Sequence, residues 1–366
     1  MKGRKMNTQQ PDIELNAEDE ELKSQIYSYF RRLQIDKLLQ RQGEYENVTE
    51  IVINEPNVIY YEQNSVWKRI DLQNVPAGNN SNKVIEGLGT LLINHAGQNQ
   101  KFDRNNPMLS LTMPDGERVQ LVRQPAAENA SLTIRIPSKH IFTLQQYDEA
   151  GLFKQVRQSD DISDEDKELK ELLAKKDYLQ FCKKAVAYRK NIVVSGATGS
   201  GKTTFMKTLI ETIDKDERII TIEDARELFI NHQNKVHLIY PKSKSESTVT
   251  AKSCLEATLR MKPDRIILAE VRGDEAFYFI RACGNGHSGS ITSCHADSAK
   301  MAFEQLALMI AASSEVNLSY EVIKHLILMT IDISIHFKND KGDRRITEVY
   351  FEPERKLKLL RGEKLD

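Results

Sequence analysis

The segment GATGSGKT, residues 196–203, constrains the fold of this 366-residue chain more than any other stretch. It matches the pattern Gly-x4-Gly-Lys-Ser/Thr in full, and it lies between the apolar run NIVVS and a helical pattern that begins at Thr203. Glycines let the backbone wrap around phosphate oxygens, and successive N–H groups at a helix N-terminus supply positive potential. The segment therefore predicts a nucleoside triphosphate site on a strand–loop–helix unit.

Two side chains of this loop carry the chemistry that a triphosphate needs. Lys202 can place a full positive charge against the β- and γ-phosphate oxygens, and the hydroxyl of Thr203 can bind Mg²⁺. ATP and Mg²⁺ are therefore the expected ligands. The residues predicted to surround the nucleotide are Gly196, Ala197, Thr198, Gly199, Ser200, Gly201, Lys202, Thr203 and Thr204.

Strand and helix patterns alternate after residue 185, which indicates a mainly parallel sheet covered by helices. The runs NIVVSG, RIITIED and RIILAE are typical of strands, whereas TTFMKTLIETI, TVTAKSCLEATLRM and DEAFYFIRACGNG have helical spacing. We therefore expect an α/β domain of the P-loop (RecA-like) class over residues 185–366.

The first third of the chain has a different pattern. Residues 12–45 have helical spacing, and the period then shortens toward two, with β-branched and aromatic residues between turn signals. This predicts a smaller α+β domain over residues 12–140. Residues 141–184 are highly charged and helical in their second half, which predicts a linker with a helix. A linker of more than 40 residues allows the first domain to pack on its own chain or on a neighbouring one.

Composition and charge limit the partners of the chain. Its 52 Lys and Arg residues nearly balance 53 Asp and Glu, so no global field attracts nucleic acid or acidic membranes. Hydrophobic residues make up 40% and charged residues 29%, as is typical of a soluble globular protein. No run of 18 apolar residues predicts a membrane span, and the four cysteines form no Cys-x-x-Cys pair that would suggest a disulfide framework.

Carboxylates that follow the predicted strands are candidates for supporting Mg²⁺ and polarising water. Glu270 follows the run RIILA, in which Ala269 stands where an Asp commonly precedes the Glu, so another acid must support the metal. Ligands gather at the carboxyl ends of parallel strands, and Glu223 and Asp224 also follow a strand. We therefore expect Glu270 and Glu223 to act with Lys202 in catalysis, and Asp224 to act with Thr203 at the metal.

Residues 284–297, GNGHSGSITSCHAD, contain two histidines among small residues. The spacing Cys-x3-His-x6-Cys-His of Cys283, His287, Cys294 and His295 matches no common zinc pattern. A Cys–His nucleophile is disfavoured because adjacent residues on a strand point in opposite directions. A buried structural histidine and a sensor of bound phosphate both remain open.

Four segments in this order resemble the motifs of the secretion traffic ATPases, the hexameric ATPases of type II and type IV secretion and of type IV pilus assembly. They are the phosphate loop, TIEDARE (the Asp box), LAEVRGDEA (the Walker B segment, where a small residue also replaces the Asp) and the His box with SITSCHADS. VTEIVINEP, LSLTMPDGERVQLV and SLTIRIPS are similar to the family's N-terminal domain, so the resemblance covers most of residues 45–352. The chain most resembles the type IV secretion system ATPases.

This resemblance implies a homohexamer that hydrolyses ATP to power type IV secretion, by substrate export or pilus biogenesis, through domain motion. It implies a cytoplasmic protein, peripheral at the inner membrane, with other secretion-system components as partners. It also implies that His287 lies near the γ-phosphate and reports its presence, while His295 supports the loop. Strand alternation puts Arg118 and Arg135 on polar faces, and the resemblance implies that both reach the nucleotide from the N-terminal domain.

Other functions remain open. A motor for type IV pilus retraction or assembly would carry the same motifs. A nucleic-acid-stimulated P-loop motor would need a basic or aromatic strand-binding patch, which the net charge of −1 and the 7% aromatic content do not suggest. Direct sequence-specific binding of nucleic acid is therefore not expected. An ATP-gated switch in which turnover matters little would also bind ATP.

Overall fold

The computed structural model describes residues 17–73, 81–97, 99–113, 115–138, 141–154, 156, 161–241 and 248–363. The outer limits predicted for the domains, residues 12, 140 and 366, lie outside this part of the chain. Within it the strands form two separate sheets, the first from the first third of the chain and the second from its second half.

The first sheet and its helices form one unit, which we call the first unit. Its elements are α1 (Ala17–Leu33), α2 (Asp36–Leu39), β1 (Val48–Glu55), β2 (Val58–Gln63), β3 (Val66–Asp71), α3 (Ser81–His95), β4 (Met108–Thr112), β5 (Arg118–Val122) and β6 (Ser131–Arg135). The strands lie in the order β3-β2-β1-β6-β5-β4, and each pairs antiparallel with its neighbour. Helix α3 buries Val84, Leu88 and Leu92, one residue a turn, against this sheet's core.

The second sheet follows a helical linker. The linker helices are α4 (Leu144–Glu149), α5 (Asp164–Ala174) and α6 (Tyr178–Ala187). The sheet and its helices comprise β7 (Ile192–Gly196), α7 (Lys202–Glu211), β8 (Ile219–Glu223), β9 (Lys235–Ile239), α8 (Ala251–Thr258), β10 (Arg265–Leu268), α9 (Glu275–Gly284), β11 (Ile291–Cys294), α10 (Ala299–Ala311), α11 (Tyr320–Thr330), β12 (Ile333–Asp340), β13 (Asp343–Tyr350) and α12 (Pro353–Leu360).

The seven strands of the second sheet lie in the order β13-β12-β7-β11-β10-β8-β9. Six of them run parallel, and β13 pairs antiparallel with β12 at one side. Every residue of β7, β8, β10 and β11 is buried, as expected of parallel strands that helices cover on both faces. The predicted α/β class with a mainly parallel sheet is therefore confirmed.

Parallel strands begin at one edge of a sheet and end at the other, so this sheet has two chemically distinct edges. The amino edge carries the residues at or just before the strand starts, among them Asn191, Arg218, Asp264 and Ser290. The carboxyl edge carries the residues at or just after the strand ends, among them Gly196, Glu223, Ala269 and Cys294. The strands β7, β8, β10 and β11 are four or five residues long, so the two edges lie about 13 Å or more apart.

The second half of the linker packs on its own chain. Leu169 of α5 and Phe181 of α6 are fully buried in the core beside β7, and Leu172 and Leu173 pack against the same core, while Leu179 stays 64% exposed. The apolar residues of these two linker helices therefore pack on the core of the second sheet. In the described stretches of the chain, no helix is both long and apolar enough to cross a membrane.

The first unit contacts the amino edge of the second sheet through a buried arginine. The Arg218 side chain is fully buried, and its Nη1 donates to Asn54 Oδ1 of the first unit (3.0 Å) and to Asn234 Oδ1 (2.5 Å). Its Nε donates to the Met261 carbonyl (2.8 Å). Burial lowers the pKa of Arg218 to about 10, so the guanidinium remains charged at neutral pH. This cation joins the two units.

Arg218→Ala should destabilise the protein, because it leaves Asn54 and the buried acceptors of Asn234 and Met261 without their charged donor. We expect a loss of about 2–4 kcal/mol in the free energy of unfolding, measured by urea denaturation. Arg281→Ala, at an exposed position of α9, is the matched control and should change this free energy by less than about 0.5 kcal/mol. Equal urea midpoints for the two variants would contradict the importance of the buried cation.

Candidate functional site

The phosphate loop joins β7 to α7 at the carboxyl edge, and three glycines set its shape. Gly196, Gly199 and Gly201 have φ values of 147°, 74° and 105°, a backbone region that residues other than glycine rarely adopt. A Cβ at Gly196 would also lie 2.3 Å from the carbonyl oxygen of Phe337 on β12. The glycines predicted from the motif are thus required by backbone conformation and by the close approach of a neighbouring strand.

Lys202 stands at the first position of α7 with its side chain folded into the loop. Its Nζ donates to the carbonyls of Gly196 (2.7 Å) and Ala197 (3.0 Å), and the residue is 7% exposed. Burial lowers the pKa of Lys202, while the charge of Glu270 opposes that shift. An ammonium group is therefore held at the centre of the loop, within the field of the Glu270 carboxylate.

The loop also presents polar groups to a ligand. Ala197, Thr198 and Gly199 are exposed, as is Thr204, and Thr203 is half-buried at the start of α7. The hydroxyl of Ser200 is buried, and the described residues supply no hydrogen-bond partner for it. A buried hydroxyl without a partner is costly, so this atom fits a loop that closes around an oxygen-rich group.

Glu270 follows β10 at the same edge and lies in a row of charged side chains. Arg272 donates to Glu270 Oε2 through Nε (2.9 Å) and Nη2 (2.5 Å), and its Nη1 contacts Asp224. On the other side, His295 Nε2 lies 2.7 Å from Glu270 Oε1. The order Asp224–Arg272–Glu270–His295 therefore links the Asp box, the Walker B segment and the His box in one row.

Glu223 is buried beneath this row and holds the backbone. Its Oε2 accepts from the N–H groups of Glu227 (2.8 Å) and Leu228 (2.7 Å), and its Oε1 accepts from Thr221 Oγ1 (3.0 Å). Burial favours protonation, but hydrogen bonds from His237 and these N–H groups outweigh it and lower the pKa of Glu223. With both oxygens used in this way, Glu223 braces the turn that carries Asp224, which does not support the predicted catalytic role.

The structure does not bring His287 to the phosphate loop of its own chain. His287 precedes β11 and lies at the amino edge, where it contacts the backbone of Pro263 and where burial lowers its pKa. His295 directly follows β11 and therefore lies at the carboxyl edge beside Glu270. Within one chain a parallel strand separates the two histidines, so His295 lies beside the site and His287 does not.

The separation of the two sheet edges also bears on the metal site and the cysteine nucleophile considered for residues 284–297. Cys283 lies on α9 and His287 at the amino edge, whereas Cys294 and His295 lie at the carboxyl edge, so the four do not surround one point. Among the described residues, no group of three His, Cys, Asp or Glu side chains has the geometry of a metal site. Burial raises the pKa of the Cys294 thiol to about 12, which keeps it protonated at neutral pH.

Arg118 and Arg135 are cross-strand partners on β5 and β6, and both are exposed. They lie in a cleft of about 640 Å³ between the first sheet and the amino edge, which we call the amino-edge cleft. Its charged and titratable residues are Glu50, Arg118, Arg135, Arg260, Lys262 and His287. The structure therefore places the two arginines together, but at the edge opposite to their own phosphate loop.

Two residues of the site were missed by sequence reasoning. Arg272 contacts both Glu270 and Asp224, and its position two residues after Glu270 was the available signal. Asn339 on β12 donates its Nδ2 to the Gly199 carbonyl (3.1 Å) and so supports the phosphate loop from a distant part of the sequence. No pattern in the sequence marks Asn339, because its contact depends on the pairing of β12 with β7.

Comparison with known proteins identifies the family of this chain. A sequence model of the type II/IV secretion system protein family matches residues 46–341. The type IV secretion system protein VirB11 of Brucella suis is 42% identical over 330 residues, which cover 87% of this chain and 90% of that relative. The type IV secretion system protein PtlH of Bordetella pertussis is 36% identical over 317 residues, which cover 84% of this chain and 91% of that relative.

A solved structure extends the likeness to the fold. The crystal structure of the VirB11 ATPase from the Brucella suis type IV secretion system, in complex with sulphate, superposes with a TM-score of 0.84 at 38% identity. The match covers 94% of this chain and 99% of that one. The resemblance that the four motifs carried is confirmed: the chain belongs to the type II/IV secretion system protein family and is an ATPase of type IV secretion.

Proposed function

We propose that this chain assembles into a homohexameric ring whose ATP hydrolysis drives substrate export or pilus biogenesis by a type IV secretion system. The observation that carries the proposal is the complete phosphate loop, with the buried Lys202 ammonium set in the field of Glu270. The ring works in the cytoplasm, peripheral at the inner membrane, where it contacts other components of the secretion system.

Hydrolysis uses the residues at the carboxyl edge. Lys202 exchanges its two carbonyl partners for phosphate oxygens, to which a full positive charge binds more strongly than to a neutral carbonyl. Glu270 orients and polarises the attacking water. His295, which contacts Glu270 at 2.7 Å, changes its hydrogen bonds when the γ-phosphate leaves, and so reports the nucleotide state.

Mg²⁺ fits the oxygen donors of this edge. A hydroxyl from Thr203 and a carboxylate from Asp224 would hold it, and both are the hard oxygen ligands that Mg²⁺ prefers. Mg²⁺ sites in enzymes of this kind use few protein ligands and rely on the phosphates for others. When bound, the ion neutralises charge on the β- and γ-phosphates. Asp224 contacts Arg272 in this structure, so the ion would take the place of the guanidinium beside this carboxylate.

A neighbouring chain completes each site. Arg118 and Arg135 face the amino-edge cleft, about 13 Å or more from the edge that holds their own phosphate loop. Closed ring symmetry brings one surface of a chain against a different surface of the next. The two arginines therefore bind the phosphates of a neighbour's nucleotide, and His287 in the same cleft approaches that nucleotide too.

Glu270→Gln should bind ATP but hydrolyse it about 100-fold more slowly, because the amide cannot accept a proton from water. Lys202→Ala should instead weaken ATP binding itself. Binding is measured with a fluorescent ATP analogue and turnover by phosphate release. Glu227→Gln, an exposed carboxamide substitution in the neighbouring loop, is the control and should keep normal turnover. If Glu270→Gln hydrolyses ATP nearly as fast as the parent protein, Glu270 is not the catalytic carboxylate.

Mixed rings test whether a neighbour completes the site. A chain with Arg118→Ala and Arg135→Ala should be inactive alone, as should a Lys202→Ala chain. Mixed, they should recover part of the activity, because some sites combine an intact loop with intact arginines. A His295→Gln chain mixed with Lys202→Ala is the control and should not recover, since both residues act in the same chain. Absence of recovery by the arginine variant, in rings shown by mass to contain both chains, would count against the shared site.

A further inference from the structure

Glu50 is the least expected group in the amino-edge cleft. It lies on β1 with a side chain that is 3% exposed, and its Oε2 is buried without a hydrogen-bond partner among the residues that the structure describes. The buried Glu223 and the half-buried Glu217 accept several hydrogen bonds each. A buried carboxylate with an unused oxygen costs stability, so its presence needs a reason.

The strand register places Glu50 in a row of charges. Glu62 of β2 pairs with Glu50 of β1, Glu50 pairs with Arg135 of β6, and Arg135 pairs with Arg118 of β5. Residues directly opposite one another on neighbouring strands share a face of the sheet. Two acids and two arginines therefore follow one another across four strands and line one cavity, and Glu50, Arg118 and Arg135 also line the amino-edge cleft.

The two acids of this row, Glu62 and Glu50, differ in the contacts that their oxygens make. Glu62 is already neutralised, because its Oε1 accepts from Lys262 Nζ (2.9 Å) and its Oε2 accepts from Thr49 Oγ1 (2.9 Å). Glu50 Oε1 lies 3.6 Å from Arg135 Nε, and the two side chains form an ion pair across the row. The negative charge of Glu50 is thus directed at Arg135.

The geometry of that contact matters for function. It uses Nε, on the inner side of the guanidinium, rather than the terminal nitrogens, and the Arg135 side chain remains 65% exposed. A phosphate is bound bidentately by parallel N–H groups of the guanidinium fork. Without a negative charge beside it, Arg135 would be repelled by Arg118, its direct cross-strand partner.

We propose that Glu50 is a positioning residue, which holds Arg135 by Nε so that its terminal nitrogens face the phosphates of a neighbour's nucleotide. The inference rests on the proposed function, in which Arg135 acts on the next chain's site. Glu50 itself does not touch the nucleotide. Its effect on turnover is transmitted through Arg135, and it is present while the carboxyl group is ionised.

The charges around Glu50 set the pH at which it can act. Burial raises the pKa of Glu50 to about 7, Arg135, Lys262 and Arg218 lower it, and Glu62 raises it. The folded-state pKa lies above the ordinary value of 4.5, so the ionised form destabilises the fold above that pH, and fully so above pH 7. Replacing Glu50 with glutamine should therefore not lower stability at pH 8, which separates a positioning role from a structural one.

The test compares Glu50→Gln, Arg135→Ala and the double variant in the full-length ring at pH 8. Glu50→Gln should lower kcat/KM for ATP about tenfold, as loss of an orienting partner typically does. In the Arg135→Ala background the same change should have no further effect, because the residue it positions is gone. Glu55→Gln, at the far end of β1, is the matched control and should behave as the parent protein does.

Two further measurements sharpen the result. At pH 6, where Glu50 is protonated, the difference between Glu50→Gln and the parent protein should disappear. Glu50→Asp keeps the charge one methylene further away, so it should retain the pH dependence with a smaller loss. Equal kcat/KM at pH 8 for Glu50→Gln and the parent, or an undiminished loss in the Arg135→Ala background, would overturn the inference, as would a lowered melting temperature with dissociation of the ring.

The outcomes also separate this inference from the function on which it rests. If Arg135→Ala lowers turnover while Glu50→Gln does not, the shared nucleotide site stands and only the positioning role fails. If Arg135→Ala leaves turnover unchanged, both the use of Arg135 by a neighbour and the role of Glu50 are overturned.

Discussion

The parallel direction of six strands in the second sheet decides which residues of this chain can meet. Because every strand ends at the same edge, segments that are far apart in sequence supply Lys202, Asp224, Glu270 and His295 to one place. The opposite edge receives what precedes the strands, and there the chain docks its first unit on the buried Arg218. The residues around the phosphate loop and the contacts of the first unit therefore lie at opposite edges of the second sheet.

The fold class and half of the site could be predicted from the sequence, because residues that follow parallel strands meet at one edge of the sheet. The phosphate loop carries its own backbone requirements in its glycines, and Glu270 follows an apolar strand, so both could be placed at an edge from sequence alone. The motif with the two histidines was taken as a unit, although the strand Ile291–Cys294 runs between them and only His295 lies at the carboxyl edge of its own chain. Counting which histidine follows the strand would have selected His295.

Other features depend on distances that a single sequence does not encode. Arg272 is two residues from Glu270, yet its contact with Asp224 crosses 48 residues and depends on how far a flexible side chain reaches. The alternation of apolar residues correctly left Arg118 and Arg135 exposed, but it gave no information on which edge of the other sheet they face. That position follows from the docking of the first unit, which combines apolar packing of Val122 and Ala127 with polar contacts such as the one between Trp67 Nε1 and Asp264 Oδ2 (2.9 Å).

The closeness of β12 to the phosphate loop has a mechanical consequence. The Phe337 carbonyl fills the space beside Gly196, Asn339 holds the Gly199 carbonyl, and β12 continues through a tight hairpin into β13 at the outer side of the sheet. The phosphate loop and the β12–β13 hairpin are thus in direct contact, so neither can move without rearranging these contacts. The hairpin therefore lies next to the phosphate loop in space, although it is far from that loop in the sequence.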